Sequence, residues 1–287
     1  MFNLQSSMKV LQIRLLAIDV DGTLLNSDDT VTPAVDEALR RATDAGIRIL
    51  LATGRRYSRT LPVAEPLGID APLVTAGGGL IKRPTDHQTL FSASFDPQVL
   101  RAAVAVVNNR GYDALLYGDT FAEGFDFYLA RYEVSTPQLR EYLDLNPTDG
   151  RLFEDLGLRL PDGIFLFFTM GTREQMLDLE RELHRQLPGE LSINVLRSPR
   201  YTGFMCEIAP AGISKWSGVL YLAQQWGVEP AEICAVGDDV NDVLMIRGAG
   251  LGVAMGNASE IVQAAADRVA PRHDEDGLAE VVRWILN

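Results

Sequence analysis

Three short, unbroken apolar runs constrain this chain most: Leu15-Leu16-Ala17-Ile18, Ile49-Leu50-Leu51-Ala52 and Ile233-Cys234-Ala235-Val236. A run that does not alternate with polar residues, and is bounded by turn chemistry, fits a strand covered on both faces, as in parallel sheets. Each run ends abruptly in polar residues: Asp19-Val20-Asp21-Gly22-Thr23, Thr53-Gly54-Arg55 and Gly237-Asp238-Asp239-Val240-Asn241-Asp242. Between the first two lies a helix, with Thr32 as N-cap, Pro33 at its first position and Gly46 closing it. A second helix, broken by Pro62 and Pro66, leads to a third strand over Pro72 to Ala76. This alternation predicts a parallel sheet with right-handed crossovers. Ligands of such sheets bind beyond the carboxyl ends of the strands, so the loops carrying Asp19 and Thr53 should meet there.

The middle of the chain has a different grammar. A hairpin is expected from Leu80 to Phe91 around Pro84-Thr85-Asp86, and another from Asp113 to Phe125 turning at Gly118-Asp119. Helical periods run over Pro97 to Arg110 and Thr172 to Leu187, and strands over Ile164 to Met170, Ser192 to Leu196 and Phe204 to Ala209. Helix, strand, helix, strand then resume through Ile213–Trp226, Ile233–Val236, Asn241–Ala249 and Leu251–Ala254, followed by helices at Ser259–Ala266 and Leu278–Leu286. The expected fold is therefore α/β: a Rossmann-like parallel-sheet core from residues 1–81 and 208–287, with an inserted α+β domain over 82–207.

The 287 residues carry a formal net charge of −13. That excludes nucleic acid as the main partner, since backbone phosphates demand clustered Lys and Arg, and it disfavours an anionic membrane surface. No stretch approaches the roughly 18 apolar residues of a membrane span, and Met1 to Gln12 shows no secretory signal, with Met8 a second candidate start. Cys206 and Cys234 sit in apolar strands and read as buried, reduced thiols. A cytoplasmic enzyme is the expectation. The sequence leaves its oligomeric state open.

Four segments carry chemistry. Asp19 and Asp21, two apart in an extended loop, project to the same side. One carboxylate suits a phosphoryl acceptor, and the other suits a general acid and base. Thr53 and Gly54 offer a hydroxyl and a free N–H at a strand-to-helix junction, a place for a phosphate oxygen. Lys215 stands in the first turn of a helix, where its charge opposes the helix dipole and so points to an anion. Asp238, Asp239 and Asp242 crowd a third strand end, and converging on Asp19 and Asp21 they would repel one another without a cation among them. Oxygen-only ligands select a hard ion such as magnesium.

In this order the four segments resemble the haloacid dehalogenase (HAD) superfamily of phosphohydrolases, and the insertion looks like the C2 cap of its Cof-type (IIB) branch. The likeness runs from Arg14 onward and includes the tail around Asp267-Arg268-Val269 and Asp276-Gly277-Leu278. It implies a magnesium-dependent phosphatase of a small phosphorylated metabolite. Asp19 would be nucleophile and metal ligand, and Asp21 the acid/base with its carbonyl on the metal. Thr53, Gly54, Lys215 and Asn241 would hold the phosphoryl group. Asp238 would ligate the metal directly and Asp242 would hold its water, with Asp239 at a variable position. A sugar phosphomutase and a phospho-ligand sensor without turnover are the competing readings. The second is disfavoured because Asp21 is present. The chain departs from the pattern twice: Ala76-Gly77-Gly78-Gly79 stands where Asn-Gly-Ala is common, and Trp216 follows the lysine where Gly is common.

Other signals read as structural. His87, His184 and His273 are scattered and look like surface residues, giving no zinc site. Gly77-Gly78-Gly79 leads into the insertion rather than into a helix, so it is no dinucleotide fingerprint. Asn257-Ala258-Ser259 is a sequon without meaning in an unsecreted protein. Phe165, Phe167 and Phe168 read as core, and the charged stretch Arg173 to Arg185 as a solvated helix face.

Overall fold

A computed structural model describes residues 12–153, 156, 159–197 and 200–287. Met1 and Met8, the candidate starts, lie outside the described residues. In chain order the elements are β1 (Leu15–Ile18), α1 (Pro33–Asp44), β2 (Arg48–Leu51), α2 (Tyr57–Ala64), β3 (Leu73–Thr75), β4 (Leu80–Lys82) and β5 (Thr89–Ser92). Then come α3 (Pro97–Asn109), β6 (Leu115–Gly118), β7 (Phe127–Leu129), α4 (Pro137–Leu145), β8 (Gly150–Leu152), β9 (Ile164–Gly171), α5 (Arg173–Gln186), β10 (Leu191–Leu196) and β11 (Phe204–Pro210). The chain closes with α6 (Lys215–Gln225), β12 (Ile233–Gly237), α7 (Val243–Gly248), β13 (Leu251–Ala254), α8 (Glu260–Gln263), β14 (Arg268–Val269) and α9 (Gly277–Leu286).

The apolar runs form one parallel sheet in the order β14-β13-β12-β1-β2. Leu15 to Ile18 pair with Ile233 to Val236 on one side and Arg48 to Leu51 on the other. Both faces are covered, as the unbroken runs required. Leu16 and Ile18 pack with Leu39 of α1 and Val281 of α9, while Leu15, Ala17 and Leu50 pack with Val219 and Leu222 of α6 and Met245 of α7. β3, β4 and β5 form a separate antiparallel sheet, joined to the end of β2 by a parallel bridge between Ala52 and Val74.

The insertion supplies a six-stranded sheet in the order β10-β11-β9-β6-β7-β8. Phe167, Cys206 and Ile208 face Val104 and Val107 of α3 and Leu179 and Leu183 of α5. Phe168, Met170 and Met205 face the opposite way, toward Leu139 and Tyr142 of α4. Phe165, Phe167 and Phe168 are all buried core, and both cysteines are buried and free. α5 begins with a reciprocal cap between Thr172 and Gln175, and it buries Met176, Leu179 and Leu183 beneath a charged outer face.

Several local expectations need correcting. Pro62 lies inside α2 on its solvent side rather than breaking it, and the helix ends before Pro66, in a 3-10 turn. The return strand of the second hairpin is Phe127–Leu129, beyond a 3-10 turn at Phe121–Glu123. The helix expected over Asn241–Ala249 begins as a 3-10 turn at Val240–Asp242, and the one at Ser259–Ala266 shortens to Glu260–Gln263. α4 and β8 were not anticipated, although Thr136-Pro137 announces α4: the Thr136 hydroxyl accepts from the Leu139 N–H and Pro137 stands at the first helical position. Among the described residues no helix is long and apolar enough to cross a membrane.

Leu16 is fully enclosed at the centre of the parallel sheet. Leu16→Ala should lower unfolding free energy by about 2–5 kcal/mol, the usual cost of such a cavity, read as a fall in urea midpoint at unchanged slope. A shift below about 0.5 kcal/mol, the range typical of surface substitutions, would place it outside the core.

Candidate active site

The functional residues gather at the carboxyl ends of β1, β2 and β12. Asp19 directly follows β1, and its N–H continues the ladder by donating to the Val236 carbonyl at 3.0 Å. The chain then turns tightly: the N–H groups of Leu24 and Leu25 donate back to the Val20 carbonyl at 3.1 and 2.9 Å. Gly22 makes this turn with φ of +72°, and a Cβ there would collide with the Asp238 carboxylate. The next residue, Thr23, donates its hydroxyl to Asp238 Oδ1 at 3.3 Å. Gly22 and Thr23 thus seat Asp238 beside the first loop, while Asp19 and Asp21 present their carboxylates.

Lys215 is the first residue of α6, whose start is fixed by a reciprocal cap between Ser214 and Ser217. Its buried ammonium donates to Asp19 Oδ1 and to Asp242 Oδ1, each at 2.7 Å. Burial opposes charge on Lys215, but the two carboxylates outweigh it and hold the ammonium protonated, above its ordinary range. Asp242, wholly enclosed, also accepts at Oδ2 from the N–H groups of Asp238 and Asp239, both at 3.0 Å. Both its oxygens are therefore engaged inside the protein, and Gly237 has no Cβ because the Asp242 side chain occupies that space. Asp19 keeps its other oxygen without a hydrogen bond among the described residues.

Asp19, Asp238 and Asp242 offer oxygens within 4.8 Å of one another. Burial and the neighbouring Asp242 drive the Asp19 carboxyl well above the usual range and push Asp238 up to about 7, with Lys215 opposing both shifts. One ammonium among three carboxylates leaves a charge deficit, and a hard divalent cation meets it with an all-oxygen donor set. The residues fit such an ion.

Asp21 is half-buried and gripped by Arg55, Nε to Oδ2 at 2.8 Å and Nη2 to Oδ1 at 2.5 Å, while the same guanidinium reaches Asp29 at 3.0 Å. Thr53 is buried, and its hydroxyl accepts from the Arg55 N–H at 3.0 Å. The Thr53–Arg55 loop is stitched to the end of β3: Gly77 N–H donates to Thr53 O at 3.0 Å and Ala76 N–H to Arg55 O at 2.8 Å. Asn241 is half-buried, and its side-chain oxygen has no partner among the described residues; a Cβ on Gly54 would stand 3.8 Å from its amide nitrogen.

A cavity of about 990 Å³ opens on this cluster. Asp19, Asp21, Thr53, Gly54, Lys215, Asp238 and Asn241 line it, and Asp242 sits behind the wall. The opposite wall comes from the insertion, including Tyr117, Tyr142, Tyr201, Met205 and Glu207.

Sequence reasoning missed four contributors. Asn257, set aside as a sequon, donates to the Gly22 carbonyl at 2.9 Å and to Asp238 Oδ2 at 3.1 Å, and accepts from the His273 N–H at 3.1 Å. His273 is not a free surface residue: it lines the cavity, its Nε2 lies 3.2 Å from Ser27 Oγ, and its Nδ1 is buried without a partner among the described residues. Arg56 is buried between Asp126 at 2.7 Å and Asp149 at 2.9 Å. Glu207 is buried on the cavity wall, and burial pushes its carboxyl up to about 7 despite the opposing pull of Lys215. Its only sequence signal is an acid interrupting Met205-Cys206-Glu207-Ile208-Ala209. The two departures noted above also find physical settings. Ala76 has φ of +48°, a left-handed conformation in which Asn is more at ease. Trp216 packs against Gly248, where its ring fills the space of a Cβ.

A family profile described as haloacid dehalogenase-like hydrolase matches residues 16–282. Phosphatase YwpJ of Bacillus subtilis is 28% identical to the chain, covering 96% of it and 100% of the relative. The 5-amino-6-(5-phospho-D-ribitylamino)uracil phosphatase YcsE of the same organism is also 28% identical, with 96% of each covered. Among solved structures, a phosphatase of the haloalkanoate (HAD) superfamily from Bacteroides thetaiotaomicron superposes with a TM-score of 0.79 at 25% identity, covering 97% of each chain.

Removing the ammonium should expose the like-charge conflict. Lys215→Met is expected to lower stability by about 3–5 kcal/mol, the penalty for breaking a buried ion pair by deleting one partner, measured by urea unfolding in EDTA at pH 7.5. An unchanged midpoint would show that Asp19 and Asp242 do not depend on it.

Proposed function

This chain belongs to the haloacid dehalogenase-like hydrolases and is a phosphatase of that family, and on that premise we propose that it hydrolyses a small phosphate monoester with Mg²⁺ through an aspartyl-phosphate on Asp19. The observation that carries this reading is the Lys215 ammonium held 2.7 Å from one oxygen of Asp19, with the other oxygen left unbonded at the foot of a large cavity.

In this reading the free oxygen of Asp19 attacks phosphorus and the ester oxygen departs. Asp21 supplies the proton to that oxygen, which requires it to leave the Arg55 contact and turn into the cavity. It then takes a proton from the water that cleaves the acyl phosphate, returning both carboxylates to their starting state. Thr53, the Gly54 N–H, Asn241 and Lys215 surround the three non-bridging oxygens, whose charge must be balanced in a loose transition state. Asp19 and Asp238, with the Asp21 carbonyl, would hold the magnesium ion, and Asp242 would orient its water. The ion supplies further neutralisation of the phosphoryl charge.

The substrate is read as a phosphorylated metabolite, not a macromolecule, which accords with the net charge of −13 and a cavity of about 990 Å³. We assign residues 82–207 as the cap that shapes it and 1–81 with 208–287 as the catalytic core. The name of one relative specifies phosphate on a ribityl chain, a polyol.

Phosphate release should be assayed over sugar, polyol, nucleotide and pyridoxal phosphates, with Mg²⁺ and with EDTA. Turnover should require the ion, and Asp19→Asn should reduce kcat at least about 10³-fold, on the scale of losing a catalytic nucleophile, while the protein stays folded at the assay temperature by circular dichroism. Near-normal turnover by Asp19→Asn would remove Asp19 as the nucleophile.

A further inference from the structure

Glu207 sits where a carboxylate is least expected. It lies on β11, between Asn194 of the edge strand β10 and Phe168 of β9 in the six-stranded sheet. Strand alternation sends Cys206 and Ile208 to the face covered by α3 and α5. Met205 and Glu207 therefore point the other way, and both line the cavity. Glu207 is only 6% exposed, yet neither carboxylate oxygen has a hydrogen bond or ion-pair partner among the described residues. An acid buried this way carries a desolvation cost that the distant charge of Lys215 offsets only in part, and its carboxyl is displaced upward accordingly.

Its position fixes what it can meet. A Cβ on Gly54 would stand 4.0 Å from Glu207 Oε1, and one on Gly77 would stand 3.9 Å from Oε2. The two absent Cβ atoms leave a narrow gap between these backbone turns and the acid on the cavity wall, so in the phosphatase reading the carboxylate stands beside the first atoms esterified to the phosphoryl group. A carboxylate repels a phosphate, so Glu207 adds nothing to phosphoryl binding. What it accommodates is a hydrogen-bond donor next to the phosphate, and what it repels is a second anion there.

We propose that Glu207 determines specificity by accepting a hydrogen bond from a hydroxyl on the leaving group, so that the substrate is a phosphate ester of a polyol or sugar. The proposal rests on the phosphatase reading given above. Glu207 takes no part in bond making: it rewards a hydroxyl-bearing carbon skeleton and disfavours esters with a carboxylate adjoining the phosphate.

The test compares kcat/KM for glycerol 1-phosphate and ribose 5-phosphate with that for propyl phosphate, which lacks the hydroxyls, and for 2-phosphoglycolate, which has an adjoining carboxylate. The wild-type protein should prefer the hydroxylated esters. Glu207→Ala should cut that preference about ten- to a hundredfold, the range for a hydrogen bond to a charged group, and Glu207→Gln should raise relative turnover of 2-phosphoglycolate. Because each variant removes a buried acid without a partner, both should melt at or above the wild-type temperature. An unchanged ratio in Glu207→Ala would overturn the inference, as would an equal loss on every ester together with a lowered melting temperature, the mark of a structural role. If the wild-type protein releases phosphate from none of the four while it turns over a nucleotide or pyridoxal phosphate, this inference is overturned and the phosphatase reading stands; if it releases phosphate from no ester of the wider screen either, both fall.

Discussion

The ammonium of Lys215 lodged between Asp19 and Asp242 is the contact on which the catalytic end of the molecule depends. Three carboxylates converge there at low exposure, and like charges held so close repel one another unless a cation lies among them. A single cation, 196 residues from Asp19 and 27 from Asp242 along the chain, ties the first strand to the last third of the sequence. That pairing is possible only because β12 lies directly beside β1, in register from Leu15 to Ile18. The helix dipole opposes a lysine at a first helical position. The two carboxylates outweigh it, and α6 is held by its own Ser214–Ser217 cap rather than by charge.

The glycines of the site follow from this crowding. Gly22 and Gly237 give up their Cβ to the side chains of Asp238 and Asp242, and Gly78, with φ of +98°, lies against the Ser214 carbonyl at the head of α6. Each would meet an acid or a backbone atom that the site cannot move without losing the arrangement. Glycine is thus required less for the flexibility of the loops than for the closeness of what packs on them. Asn257 completes the enclosure by bridging the Gly22 carbonyl, Asp238 and the His273 backbone, so that the loop after β1 and the loop after β13 are held as one unit.

Much of this was legible in the linear sequence because the relevant signals are local. Unbroken apolar runs read as strands covered on both faces, and their abrupt acidic ends marked the carboxyl edge of the sheet. Lys215 drew notice because its charge conflicts with its place in a helix. What escaped is non-local. Asn257 and Gly22 lie 235 residues apart and nothing in either segment announces the other. His273 looks like an ordinary polar residue until the turn that carries it is placed against Ser27. Glu207 was hidden by the sheet itself. Where both faces of a strand are covered, alternation does not distinguish the cavity side from the helix side, so one acid among Met205, Cys206, Ile208 and Ala209 gave no direction. Residues 126–163 went unread because α4 and β8 are short and the segment's apolar residues follow neither period for long.

The seam between the Thr53–Arg56 loop and the insertion sets buried ion pairs beside apolar contacts such as Tyr57 against Phe121. Arg56, two residues beyond Gly54, is buried against Asp126, Asp149 and Asn146 and lies over the rings of Phe127 and Tyr142. Arg59 reaches Asp149 and Asn146 from the next turn. Such pairs give up hydration when they are buried and regain it when they part, so separating them costs far less than their mutual attraction suggests. The apolar part of the seam, by contrast, would lose about 25 cal/mol for every Å² exposed, with nothing returned. The Thr53–Arg56 loop is therefore joined to the insertion by ion pairs that fix direction and by apolar contacts that hold, while Asp19, Lys215 and Asp242 are tied together at low exposure at the foot of the cavity.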